Sequence, residues 1–112
     1  MHLFLQKSTL NPSTDITITG SKSESNRLLL LKALFKNLEI QNVSNSDDSQ
    51  YMLKALKSET PVVDIHHAGT AMRFLTAYFA TLEGKTKLLT GSQRMQERPI
   101  KILVDTLKAL GA

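Results

Sequence analysis

The stretch PVVDIHHAGTAMRFLTAYFATLEGKTKLLT, residues 61–90, decides how the chain is read. PVVDI at 61–65 is a short, β-branched run bounded by Pro61 and reads as a strand. Gly69-Thr70 then opens a helix, AMRFLTAYFATLE, which Gly84 closes, and KTKLLT at 85–90 is the next strand. Strand, helix and strand follow one another here, and the alternation continues outward in both directions.

Toward the N-terminus, residues 2–6 and 15–19 (DITIT) alternate like strands on either side of the turn signal Asn11-Pro12-Ser13. A helix is expected from about Ser23 to Asn37, and EIQNV at 39–43 is a further short strand. Ser46-Asp47-Asp48 has the form of an N-cap followed by first-turn acids, leading a helix to about Ser58. Toward the C-terminus, Pro99 suits the first position of a fourth helix, with Ile100, Leu103, Val104, Leu107 and Leu110 on one face. Strands alternating with helices make the class α/β.

A chain of 112 residues is one domain's worth. Its 41% apolar and 21% charged content is that of a globular protein rather than a disordered one. Fourteen lysines and arginines against ten acids give a formal charge of +4, a mild bias toward anionic partners. The cations are scattered, and two Tyr, four Phe and no Trp are few rings for stacking on bases, so no nucleic-acid partner is expected. No cysteine is present, which excludes a disulfide framework and thiolate chemistry and suits the cytosol. MHLFLQKST lacks the pattern of a signal peptide, and no run approaches the roughly 20 apolar residues that span a bilayer. The expectation is a soluble cytoplasmic protein with no membrane contact.

Two features look wrong for a small self-sufficient domain. The helix containing Leu28 to Phe35 and the one containing Ala71 to Ala80 are apolar on most faces, as helices buried on several sides are. Gly111 resembles a helix C-terminal glycine, and the chain stops where a following strand is due. Both suggest a piece of something larger.

The helix entrances carry the chemistry. GSKSESNR, residues 20–27, crowds Lys22, Ser23 and Arg27 onto a helix start, where the backbone dipole disfavours cations. Gly69, Thr70 and Arg73 stand at a second entrance, and Arg94 and Arg98 precede Pro99 at a third. Free N–H groups and the positive dipole end favour anions at such places, and nearby cations add charge-assisted hydrogen bonds. A phosphate or carboxylate would offset the unfavourable placement. Taken singly, each cation is ordinarily just solvated, and Ser21, Ser23 and Ser25 read as simple caps. The repetition across entrances is what points to a ligand, although periodicity does not show that the entrances converge.

Other signals are weaker. GSKSESNR lacks the second glycine of a P-loop, and no dinucleotide fingerprint is present. His66 and His67 would face opposite sides of a strand with only Asp64 nearby, so no metal site is expected. Asp47 and Asp48 are read as stabilising their own helix, and the Met and aromatic residues of the third helix as core.

GSKSESNRLLLLKAL resembles the G-S-K-S-x-S-x-R helix entrance of the 5-enolpyruvylshikimate-3-phosphate synthase (EPSP synthase) family. SDDSQYMLKAL is similar to its S-D-D-x-x-x-M-L-x-A-L segment, and AGTAMRFLTAYFA to its N-A-G-T-A-M-R block. LTGSQRMQERPIKILVDTLKALGA resembles its L-x-G-x-x-R-M-x-x-R-P-I-x-x-L block. The four blocks stand in family order across nearly the whole chain.

The resemblance implies transfer of the enolpyruvyl group of phosphoenolpyruvate to the 5-hydroxyl of shikimate 3-phosphate with release of phosphate. This is a step of aromatic amino-acid biosynthesis that needs no metal or organic cofactor. By position Lys22 resembles the lysine that contacts phosphoenolpyruvate and also borders shikimate 3-phosphate, while Ser23 and Arg27 match shikimate 3-phosphate residues. Gly69 matches the glycine beside phosphoenolpyruvate that governs sensitivity to glyphosate, and Arg98 an arginine that grips phosphoenolpyruvate. Thr70, Arg73 and Arg94 lie in the same blocks.

The implied fold is the inside-out α/β barrel of the enolpyruvyl transferases, built from repeated βαβαββ units in two domains with the site between them. Residues 1–20 would then belong with the other domain, and 21–112 would form part of one domain. The family's glutamate and lysine for proton transfer lie outside these blocks, so half a binding surface and no complete catalytic machinery is expected, completed by the rest of the enzyme or covered by self-association. Three departures stand out: His67 where Asn is usual, Phe74 where proline is frequent, and a short link from Asp48 to Gly69. Alternatives are a noncatalytic anion-binding or self-associating module of the same fold, and a relative acting on a UDP-linked amino sugar. GSKSESNR and AGTAMR argue against the last.

Overall fold

The computed structural model describes residues 1–112. In chain order it contains α1 (Lys22–Leu34), α2 (Asp47–Lys57), β1 (Val62–Asp64), α3 (Gly69–Ala80), β2 (Leu88–Thr90), α4 (Gln93–Gln96) and α5 (Lys101–Ala109). β1 and β2 pair in parallel, Val63 beside Leu89, with α3 as the crossover between them. The decisive stretch therefore folds as one βαβ unit, the connection that parallel strands require.

The core lies where this unit meets α1 and α2. Met52 of α2, Leu75 of α3 and Ile65 just after β1 are fully buried, and Leu29 of α1 and Met95 of α4 close over them. Ala55, Ala68 and Ala71 keep the helix backbones close enough for those larger side chains to meet. Ser46 caps α2 by accepting the Ser49 N–H, as expected, with Asp47 and Asp48 in the first turn.

Three expected strands do not form. Residues 2–6, 15–19 and 39–43 hold no ladder, and residues 1–19 are exposed throughout. Alternation shows which residues could share a face, but a strand exists only when a neighbour takes its backbone donors and acceptors. Here the ties are isolated bonds rather than a ladder. The Gly20 N–H donates to the Asn42 carbonyl at 3.0 Å, and Thr19 Oγ1 bonds Asn45. A Cβ on Gly20 would lie 2.1 Å from that same carbonyl oxygen, so only glycine permits the approach.

Helix boundaries also differ. α1 ends at Leu34 rather than Asn37, because Phe35 turns to φ −123°, ψ 93°. α5 begins at Lys101, so Pro99 is not its first residue; Ile100 occupies the cap position. Pro99 instead excludes Arg98 from helical geometry and so separates α5 from the unforeseen α4, which Ser92 caps through the Met95 N–H. α1 is less enclosed than its composition suggests: Leu31, Leu34 and Phe35 are 43%, 52% and 65% exposed. α3 buries Ala71, Met72 and Leu75 and leaves Phe74, Tyr78 and Phe79 half-buried.

The short α2–β1 link is clasped from outside. Lys87 Nζ donates to the carbonyls of Ser58 (2.9 Å) and Thr60 (2.7 Å) and sits over the Phe79 ring. A charged donor thereby satisfies two turn carbonyls that no strand reaches. No helix of the structure is long and apolar enough to cross a membrane.

Candidate functional site

At the α1 entrance the serines have separate tasks. Ser21 is the cap, accepting the Glu24 N–H. Ser25 is not a simple cap: it is buried, and its Oγ accepts the Ser44 N–H at 2.8 Å. Next to it the fully buried Asn26 accepts the Ser49 hydroxyl at 2.9 Å. These two bonds pin the first turn of α1 to the start of α2, and so fix where the exposed Lys22, Ser23 and Arg27 stand.

Lys22 Nζ lies 3.8 Å from Asp48 Oδ1, so Asp48 serves a neighbouring entrance as well as its own helix. Arg27 Nη1 donates back to the Ser23 carbonyl at 2.7 Å, and its guanidinium lies 5.8 Å from the Phe74 ring centroid on α3. The aromatic at position 74 thus gives Arg27 a flat surface across the helix pair.

The α3 entrance is open. Its N-cap is Ala68, which has no side-chain oxygen to offer, and no acid stands in the first turn. The N–H groups of Gly69, Thr70 and Ala71 have no acceptor within the protein. Gly69 is buried, and a Cβ built on it would meet Arg98 Nη1 at 1.8 Å. The guanidinium therefore occupies the space that the missing side chain leaves, against the positive end of α3. A full positive charge is thus held against the partial positive charge of the helix end, an arrangement that favours an anion.

Arg98 shares a cleft of about 270 Å³ with His67, Ser92, Arg94 and Met95. The protein's ion pairs are Lys22–Asp48 and Lys101–Asp105, so both cleft arginines lack a carboxylate partner. Arg73 is different: its guanidinium donates to the carbonyls of Gly69 (3.4 Å) and Pro99 (3.2 Å), tying α3 to the approach of α5. Its donors hold the scaffold. Thr70 is half-buried in the first turn of α3, with its hydroxyl free of protein bonds.

His67 and Ser92 enter the cleft through a turn the sequence does not announce. His66 adopts φ +50°, and Asp64 Oδ1 accepts its N–H at 2.8 Å. The left-handed step brings the His66 and His67 rings to 3.9 Å, not to opposite faces as a continuing strand would. The His66 carbonyl then accepts the Ser92 N–H at 3.0 Å, and it lies so close to Gly91 that a Cβ there would be 2.6 Å away. His67 Nδ1 meets Ser92 Oγ at 2.8 Å. No group of three or more His, Cys, Asp or Glu side chains is placed to hold a metal ion.

The structure thus brings Gly69, Arg94 and Arg98 together, and separately Lys22, Ser23 and Arg27. The Arg27 guanidinium, beside the Phe74 ring, links the α1 entrance to α3.

The sequence model of EPSP synthase (3-phosphoshikimate 1-carboxyvinyltransferase) matches residues 9–60 and 57–112. A 3-phosphoshikimate 1-carboxyvinyltransferase of Bacteroides fragilis is 51% identical over 98 residues, covering 87% of this chain and 24% of its own length. One of Histophilus somni is 40% identical over 142 positions, covering 96% of this chain and 33% of its own length. The pentafunctional AROM polypeptide 2 of Lodderomyces elongisporus is 40% identical over 131 positions, 89% of this chain and 8% of its own. The chain spans about a quarter to a third of the length of the two bacterial relatives. The Histophilus alignment is longer than the chain, and the family match breaks at residues 57–60, the turn that Lys87 clasps.

Proposed function

The chain belongs to the EPSP synthase family, and from that premise we propose that its helix entrances hold the two anionic substrates of enolpyruvyl transfer. The reaction is transfer of the enolpyruvyl group from phosphoenolpyruvate to the 5-hydroxyl of shikimate 3-phosphate, with release of phosphate, in the cytoplasm. The observation that carries this reading is the arginine pair at the uncapped α3 entrance, where Arg98 lies on the bare face of Gly69 and lacks an acidic partner.

In this reading phosphoenolpyruvate lies against Gly69, with Arg98 gripping it and Arg94 beside it. The Gly69 to Ala71 amides supply neutral donors, and the Thr70 hydroxyl is within the same turn. Lys22, Ser23 and Arg27 hold shikimate 3-phosphate, and Lys22 also borders phosphoenolpyruvate. Lys22 is restrained by a 3.8 Å ion pair, and Arg27 by a bond to a carbonyl of the same helix and by the Phe74 ring. A dianionic phosphate would replace the ion pair and the carbonyl bond readily. Arg73 acts through the scaffold, by holding Gly69 and Pro99. Residues 1–20 pair with the second domain of the complete enzyme, which also brings the proton-transfer residues.

A noncatalytic, self-associating module is the second reading, favoured by the exposed Leu31, Leu34 and Phe35 of α1 and Ile102 of α5.

Calorimetric titration of the 112-residue chain with shikimate 3-phosphate separates the two. Binding is expected, weakened about tenfold or more by Arg27→Ala, which removes a charge-assisted contact. Absence of binding by a folded chain whose sedimentation shows a stable dimer would favour the second reading.

A further inference from the structure

We propose that Phe74 is a positioning residue for the α1 anion site: its ring covers one face of the Arg27 guanidinium and leaves the edge N–H donors to the phosphate of the ligand. The inference rests on the reading of the α1 entrance as the shikimate 3-phosphate site.

Arg27 stands in the second turn of α1, and its Nη1 reaches back to the Ser23 carbonyl at 2.7 Å, toward the positive end of the helix. That end repels a cation, and no carboxylate pairs with this one. One backbone bond would leave a long, exposed side chain free to swing into solvent. Phe74 supplies the second restraint. The guanidinium carbon lies over its ring, 5.8 Å from the centroid, where the negative face of the π system attracts a cation.

Both partners belong to fixed elements. Phe74 is half-buried and packs against the core that Leu75 of α3 and Leu29 of α1 help to form. On the other side, the buried Ser25 and Asn26 pin the first turn of α1 to Ser44 and Ser49. The contact therefore sets where the guanidinium lies before a ligand arrives. A guanidinium donates within its own plane, so a ring on its face and a phosphate at its edge are compatible. The phosphate replaces the Ser23 carbonyl and keeps the ring. Where proline stands instead of Phe74, as is frequent in the family, there is no π face to offer, so the restraint belongs to chains with an aromatic residue at this position.

The test is a double-variant cycle read by calorimetry with shikimate 3-phosphate: Phe74→Leu and Phe74→Tyr, each made with Arg27 present and together with Arg27→Ala. Leucine keeps apolar bulk and helix propensity without a π face, and tyrosine keeps the face. Phe74→Leu should weaken binding about two- to fivefold when Arg27 is present and change nothing further in the Arg27→Ala chain. Phe74→Tyr should bind as the native chain does. Phosphoenolpyruvate, titrated in parallel, reports the entrance of α3 itself, and Phe74→Leu should bind it as the native chain does. In the free chain, the Arg27 Nε–H resonance should move toward its random-coil position in Phe74→Leu as the ring current is lost. Equal losses with and without Arg27, or a matching loss of phosphoenolpyruvate affinity, would show that Phe74 acts through the packing of α3; either would overturn its role toward Arg27 and leave the α1 site standing. No binding of shikimate 3-phosphate by the folded native chain would overturn the α1 site, and this inference with it.

Discussion

Replacing Gly69 with alanine is expected to weaken phosphoenolpyruvate binding by roughly ten- to a hundredfold while the fold persists, the loss of a hydrogen bond to a charged group. The new Cβ would stand 1.8 Å from Arg98 Nη1 and 3.7 Å from Met95 Cε. The near atom is the far end of a flexible, exposed side chain, so the guanidinium moves and the backbone does not. The damage falls on the position of the cation. Arg98→Ala should weaken binding by a similar factor, and the double variant should be no worse than Arg98→Ala alone, because both changes remove one contact. Calorimetry on the three variants, with thermal melts to confirm folding, checks this. Additive losses would show that Gly69 acts independently of Arg98.

The largest stability effect is expected at Leu75. It is fully buried in the middle of α3, where the helix faces the rest of the core. Leu75→Ala removes buried methyl groups and leaves a cavity, at a cost of about 2 to 5 kcal/mol. Small domains have only about 5 to 15 kcal/mol in total, so a large part of the stability goes. Leu31→Ala on α1 is the matched control: with that residue 43% exposed, the change should be about 0.5 kcal/mol or less. Urea unfolding of both variants decides the matter. Equal losses would mean that the α1 stripe is covered in solution by another copy of the chain.

The β1–α3–β2 unit was legible because residues 61–90 contain both strands of the pair and the helix that joins them. The stretches at 2–6, 15–19 and 39–43 show the same local pattern without a partner in reach, and pattern alone does not make a ladder. Pro99 misled by one rule and obeyed another: it does not start α5, yet it separates α4 from α5. At the site, the clusters at Lys22–Arg27, Gly69–Thr70 and Arg94–Arg98 could be picked out from charge at helix starts. Their arrangement could not. The Lys22–Asp48 pair and the His67–Ser92 bond join residues about 25 positions apart and depend on tertiary packing. Within the second pair, the left-handed His66 and the bare Gly91 are the local features that make the bond, and two adjacent histidines gave no sign of either.

The same distinction separates Arg73 from Arg98. Charge at helix entrances singles out both arginines, and only the resemblance assigns Arg98 to phosphoenolpyruvate while leaving Arg73 without a stated role. In the structure Arg73 spends its donors on the Gly69 and Pro99 carbonyls, whereas Arg98 lies on Gly69 beside free amides.

The central claim is that the entrance of α3, with Arg98 above it, is an anion site. The most direct measurement is a two-dimensional amide NMR titration of the uniformly labelled chain with phosphoenolpyruvate. The expected result is saturable shifts of the Gly69, Thr70 and Ala71 amides together with the Arg98 side-chain resonance, all with one dissociation constant. Shifts confined to the α1 entrance, or none at α3 when ligand is in excess over a folded chain, would contradict it.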